Sequence, residues 1–186
     1  MTRAPLLLLL FLTLFAVDAS AAPSAADKAL AETLFRAGRK LMEAGDLAKA
    51  CPQLLSSYSL DPTLGTLINV ALCHEKQGKT ASAWANFVEA ANRAKRTGQT
   101  SRREFATKHA ELLEPKLSKL TITAPASTQI KLDGKPLPAS SIGTALPLDP
   151  GAHVVSAHQR GKQPWSKTIT VGENADSVTV EVPTLA

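Results

Sequence analysis

With 186 residues, 44% of them hydrophobic and only 4% aromatic, the chain is long enough for one or two small domains but poor in rings that stack on nucleic-acid bases. Its 21 lysines and arginines against 16 acidic residues give a net charge of +5, a mild excess with no basic stripe interleaved with aromatics, so nucleic acid is not an expected partner. Two cysteines and four histidines, none at C-x₂-C or H-x₃-H spacing, do not form a zinc motif.

At the start, Arg3 precedes an apolar run over residues 6–17, broken only by Thr13, and Ala19-Ser20-Ala21 follow. The run falls short of the roughly 18 apolar residues a spanning helix needs. A basic start, a short apolar core and a small-residue end form the pattern of a secretory signal peptide, so residues 1–21 are expected to be cleaved after Ala21. No lipobox-type cysteine stands directly behind the run, and no lipid anchor is expected. The mature chain is therefore expected to be exported, periplasmic or secreted, with no transmembrane segment after cleavage.

From Asp27 the apolar residues recur at helical spacing. GDLAKACPQLLSSY at Gly45 aligns with GKTASAWANFVEAA at Gly78, an offset of 33 residues that places Ala50 over Ala83, Leu54 over Phe87 and Ser57 over Ala90. The small residues allow helix axes to approach closely, and Leu54 and Phe87 fill the space left. Gly45 and Gly78 suit helix C-termini, and Asp46 and Thr80 are candidate caps for the helices that follow. Asp61-Pro62 stops the second helix, and Pro52 inside it is expected to cost a hydrogen bond and cause a kink. A last helical pattern covers residues 101–113, with Ser101 and Glu104 as a candidate capping box, which makes five helices within 27–114.

Leu34, Gly38, Leu41, Gly45, Asp46, Ala50, Leu54, Leu60, Asp61 and Pro62 in the first unit, with Ala71, Gly78, Ala83, Phe87 and Ala90 in the second, carry a resemblance. This half resembles the tetratricopeptide repeat family, whose period is about 34 residues. The second unit is one residue short at its turn, and the fifth helix reads as a terminal cap. The resemblance implies a concave face that receives an extended peptide. Asn69 stands where the family often carries a peptide-contacting asparagine, and Arg39 with Arg102 or Arg103 is expected to line the same groove. Phe35 replaces the basic residue of the carboxylate-clamp members, which speaks against that specialised role.

Glu114-Pro115 marks a boundary, and from Lys119 the period changes to alternation: LTITA, QIKLD, HVVSA, TITV and SVTVEV. Asp133-Gly134 is a hairpin signal. Six or seven short strands over 119–183 predict a small β-sandwich. The order of strands, with Pro150-Gly151-Ala152 at a turn, resembles PEGA-type sandwich domains, although the glutamate of that turn is missing.

Cys51 falls on the second helix of the first unit and Cys73 on the first helix of the next. Consecutive helices of such an array pack together, so a disulfide is expected in an oxidising compartment; the other reading is two buried thiols. His153 and His158 have opposite parity and should face opposite sides of a strand. His74-Glu75 lacks the second histidine of a metalloprotease helix, and neither a phosphate loop nor G-x-S-x-G occurs. No catalytic residue, metal or cofactor is expected. Trp165 is either core or a ligand-facing aromatic.

The expectation is an α+β chain in two domains, a tetratricopeptide-like antiparallel helical array followed by a small all-β sandwich. It reads as an exported, non-enzymatic interaction or scaffold protein whose partner is a protein or peptide of the envelope. The alternative is a cell-wall or polysaccharide-binding protein in which the β domain carries the glycan.

Overall fold

A computed structural model describes residues 22–186, so the expected signal peptide lies outside the described residues. Among them, five α-helices precede seven β-strands, the α+β layout anticipated from the change of period. The helices are α1 (Ala25–Glu43), α2 (Leu47–Leu60), α3 (Leu64–Lys76), α4 (Thr80–Arg96) and α5 (Thr100–Leu113). Ser24 and Asp27 cap each other's backbone in a capping box, so α1 starts ahead of Asp27.

Gly45, Gly78 and Gly98 end α1, α3 and α4 with φ of +80°, +74° and +67°. A side chain is disfavoured there, and the left-handed residue turns the chain back into an antiparallel neighbour. Asp46 caps α2 as expected, accepting the Lys49 N–H at 3.3 Å. Two expected caps are absent. Lys79 occupies the N-cap of α4 without a side-chain bond, while the Thr80 hydroxyl turns back to the Gly78 carbonyl. The Gly98 turn starts α5 at Thr100, so Ser101 already lies inside the helix and forms no capping box with Glu104.

Helix α2 runs through Pro52 to Leu60. Pro52 is exposed, and the carbonyl it deprives of a donor belongs to exposed Ala48, where water can bond it. Gly38 lets α1 meet α2: a Cβ there would lie 2.8 Å from Leu54 Cγ and 3.2 Å from the Ala50 carbonyl oxygen. Buried Ser57 packs at the same seam and donates its hydroxyl to the Ala31 carbonyl at 2.8 Å. Further along, Leu67, Ala71, Ala83, Phe87, Ala90 and Ala106 join α3, α4 and α5 in one core. Cys51 and Cys73 are bonded, with Cα atoms 5.6 Å apart, so a covalent link ties α2 to α3 inside the cluster of Ala50, Leu54 and Val70.

A short 3₁₀ turn, Glu114–Lys116, leads to the strands β1 (Lys119–Thr123), β2 (Gln129–Leu132), β3 (Lys135–Pro136), β4 (Ala145–Pro147), β5 (Gly151–His158), β6 (Trp165–Val171) and β7 (Ser177–Glu181). They form two sheets, ordered β4-β1-β7 and β3-β2-β5-β6. Leu120, Ile122 and Val180 of the first meet Ile130, Val155, Ala157, Ile169 and Val171 of the second in a single core, as in a sandwich. Asp133 and Gly134, with φ of +50° and +77°, make the two-residue turn between β2 and β3. Packing continues to Leu185, which is 5% exposed, so this unit outlasts the boundary expected at 183.

Candidate functional site

Four helices border one open cavity of about 260 Å³, with Ser57 the contribution of α2. Lys28, Glu32 and Phe35 come from α1, Gly65 and Thr66 from α3, and Arg102 from α5. Positions 28, 32 and 35 form one stripe of α1, since residues three and four apart share a helix face. The walls are nearly balanced in charge. Glu32 holds Arg36 at 2.6 Å, Lys28 and Arg102 are positive, and Asp61 is negative.

The four expected contact residues separate into three groups. Arg102 lines the groove, with its Nη1 donating to Gln99 Oε1 at 2.7 Å. Arg39 and Asn69 stand one turn further along the same faces, four residues beyond Phe35 and Gly65 respectively. Arg39 is paired with Glu43 at 3.1 Å, and Asn69 donates its amide to the Gly65 carbonyl at 2.9 Å, which leaves Oδ1 to accept. Arg103 belongs elsewhere: about 100° round the helix from Arg102, it borders a separate cavity with Lys95, Glu104 and Lys108. Lys28 and Thr66 line the groove without having been singled out from the sequence, and Asp61, read there only as a helix stop, lines it too. The stripe shared by positions 28, 32, 35 and 39 was the available signal.

A second feature joins the two units. The Asp149 carboxylate accepts the Ser82 N–H at 2.8 Å and the Ser82 hydroxyl at 2.5 Å. Ser82 lies in the first turn of α4, which like α5 lacks a side-chain cap of its own, and the loop before β5 caps α4 from the other unit. Behind this contact, His153 Nε2 lies 2.8 Å from the Asp149 carbonyl oxygen and Nδ1 lies 2.7 Å from Asp133 Oδ2. Both partners are acceptors, so a protonated ring satisfies both. Burial pulls the His153 pKa down, but the Asp133 bond, the Asp149 carbonyl and both carboxylate charges outweigh it and hold it above the ordinary imidazole value. His158, of opposite parity on β5, is exposed, whereas His153 is partly buried.

His74 behaves differently. It is buried, its Nδ1 faces the Asn86 amide at 3.0 Å, and burial followed by the charge of Lys79 pushes its pKa down. On α5, His109 bonds Glu75 of α3 at 2.9 Å and stacks on Phe87 of α4, tying the three helices together. Trp165 packs against the sandwich core and also borders a cavity of about 350 Å³ on the second sheet.

No protein-family model matches the chain, and no curated protein matches it.

Proposed function

We propose that this is an exported, non-enzymatic binding protein, a tetratricopeptide-type array with a PEGA-type sandwich, that holds an extended peptide segment of an envelope protein between α1, α3 and α5. The observation that carries this reading is the cavity that those three helices border together with Ser57 of α2. A peptide laid there meets the Phe35 ring, the Asn69 Oδ1 acceptor and the charged ends of Lys28 and Arg102, so backbone and side chains both find partners. Export rests on the pattern of Arg3, residues 6–17 and Ala19-Ser20-Ala21. The buried disulfide is compatible with an oxidising compartment, and no described helix is long and apolar enough to cross a membrane.

The test uses peptides selected from a displayed library against the full chain. Gly65→Gln is the decisive variant. The nearest atom to a Cβ at position 65 is 3.9 Å away, so the new side chain fits, fills the groove and raises helix propensity. Selected peptides should bind this variant at least tenfold more weakly, while Arg103→Ala should bind them normally. Asn69→Ala should cost about 1–3 kcal/mol of binding through the lost buried hydrogen bond. Unchanged binding to Gly65→Gln would place the peptide elsewhere and overturn the proposal.

A further inference from the structure

We propose that the free edge of β7 is a self-association surface, on which β7 of a second copy of this chain adds antiparallel and joins the three-stranded sheets of both copies into one. Among the described residues, β4 and β7 end one sheet and β3 and β6 end the other. An open edge invites another chain, and proteins blunt it with short strands, prolines or charges at core-facing positions. Three of these edges are blunted in that way. Strand β3 is only Lys135 and Pro136, and β4 is three residues long and ends in Pro147. On β6, Lys167 takes the core-facing parity of Ile169 and Val171. Strand β7 has five residues, neither proline nor lysine, and valines at its core-facing positions 178 and 180. It is the edge left open.

The ladder to β1 fixes which groups this edge offers. Lys119 N–H donates to the Asp176 carbonyl at 2.8 Å, and Val182 N–H to the Thr123 carbonyl at 2.8 Å. In the parallel pairing between those bonds, residues 178 and 180 turn their backbone groups to β1, and 177, 179 and 181 turn theirs away. Asp176 Oδ1 accepts the Ser177 N–H at 2.8 Å, which leaves the Ser177 carbonyl and both backbone groups of Thr179 and Glu181 for a partner. That set is self-complementary. A two-fold axis beside Thr179 lets it exchange two bonds with its copy, while Glu181 N–H of each chain meets the Ser177 carbonyl of the other. The side chains fit the same register. On the exposed face Lys119 neighbours Ser177 and Thr123 neighbours Glu181, so the row across the joint runs Lys119, Ser177, then Glu181 and Thr123 of the copy. Lys119 and the copy's Glu181 stand two strand spacings apart, roughly 10 Å between backbones, which their two side chains span together. The two Glu181 carboxylates lie four positions apart along the strands, roughly 13 Å, so like charges are kept separate. On the core-facing side, half-buried Val178 gains Val180 of the copy as its neighbour. Backbone bonds alone admit any extended strand; the two symmetric charge pairs select a copy.

The experiment is sedimentation equilibrium of the full chain over about 10–500 μM, a range chosen because a five-residue edge makes a small, weak interface. The mass should rise with concentration towards that of a dimer. Thr179→Lys, an exposed change that sets two lysines face to face across the axis, should weaken association at least tenfold with an unaltered melting temperature at low concentration. Glu181→Lys and Lys119→Glu should each weaken it, and the double variant, which swaps the charges, should restore it. The two positions are not paired within one chain, so recovery reads a contact between chains. A monomer throughout the range, a dimer indifferent to Thr179→Lys, or a double variant no better than the single ones would overturn the proposal. A chain that stays monomeric while its selected peptides are lost on Thr179→Lys would also overturn it, giving the edge to a foreign strand.

Discussion

Removing the Asp149 carboxylate tests whether the two units are energetically joined. Asp149→Ala deletes both bonds to Ser82 but leaves the backbone carbonyl that faces His153. Loss of an N-cap costs about 0.5–2 kcal/mol, and a negative charge at a helix N-terminus contributes about 0.3–1 kcal/mol more. Asp149 is only partly buried, so the lower half of that sum applies, and the variant should lose about 1–2 kcal/mol from the helical transition. Ser82→Ala removes the hydroxyl bond and keeps the N–H bond, and should cost about 1 kcal/mol. Once Asp149 is gone the Ser82 hydroxyl has no partner across the junction, so the double variant should resemble Asp149→Ala. The coupling from the double-mutant cycle should therefore be about 1 kcal/mol. Urea unfolding followed by far-ultraviolet circular dichroism measures all four proteins. Coupling within about 0.3 kcal/mol of zero, the usual additivity of independent sites, would refute the idea that Asp149 caps α4 across the junction.

Reducing the Cys51–Cys73 bond opens a loop of sequence separation 22 and should remove about 3 kcal/mol from the helical unit while sparing the sandwich, as read by urea unfolding with and without reductant. Gly38→Ala drives a methyl group into Leu54 and the Ala50 carbonyl; overpacking of about 1–3 kcal/mol should exceed the gain of up to about 1 kcal/mol in helix propensity, so thermal melting should fall. His153 has a raised folded pKa, so its contribution is full below the ordinary 6.5 and is lost as pH rises through the folded value. His74, with a lowered folded pKa, slopes the other way and loses stability as pH falls below 6.5; the difference in stability between the parent and His153→Gln across that range isolates His153, and a flat difference would contradict the geometry.

Much of the architecture was legible because it rests on local rules. The 33-residue offset from Gly45 to Gly78 exposed the helical hairpins, and the switch from helical spacing to alternation after Pro115 separated the two units. Cys51 and Cys73 could be paired because adjacent helices bring them together. Helix starts were less legible. Serine and threonine are common near helix N-termini, and only the position of the Gly98 turn fixed α5 one residue ahead of Ser101. Arg102 and Arg103 looked interchangeable because the phase of α5 depends on packing against Ala106, Ala110 and Leu113. The Asp149–Ser82 contact spans 67 positions and two units, and no periodicity records such a meeting.

The strand order of the sandwich sets a sequence of events during synthesis. Each helix has its packing partner next in the chain, so the array can assemble as it emerges. Strand β1 cannot do the same. It lies between β4 and β7, and its parallel partner β7 is the last strand of the unit to be made. Until β7 brings Val178 and Val180 alongside, Leu120 and Ile122 wait at an open strand edge, the kind of surface on which nascent chains stick to one another. The helical half can thus be native while the sandwich is still incomplete, and a holdase that shields strand edges would find its client in β1.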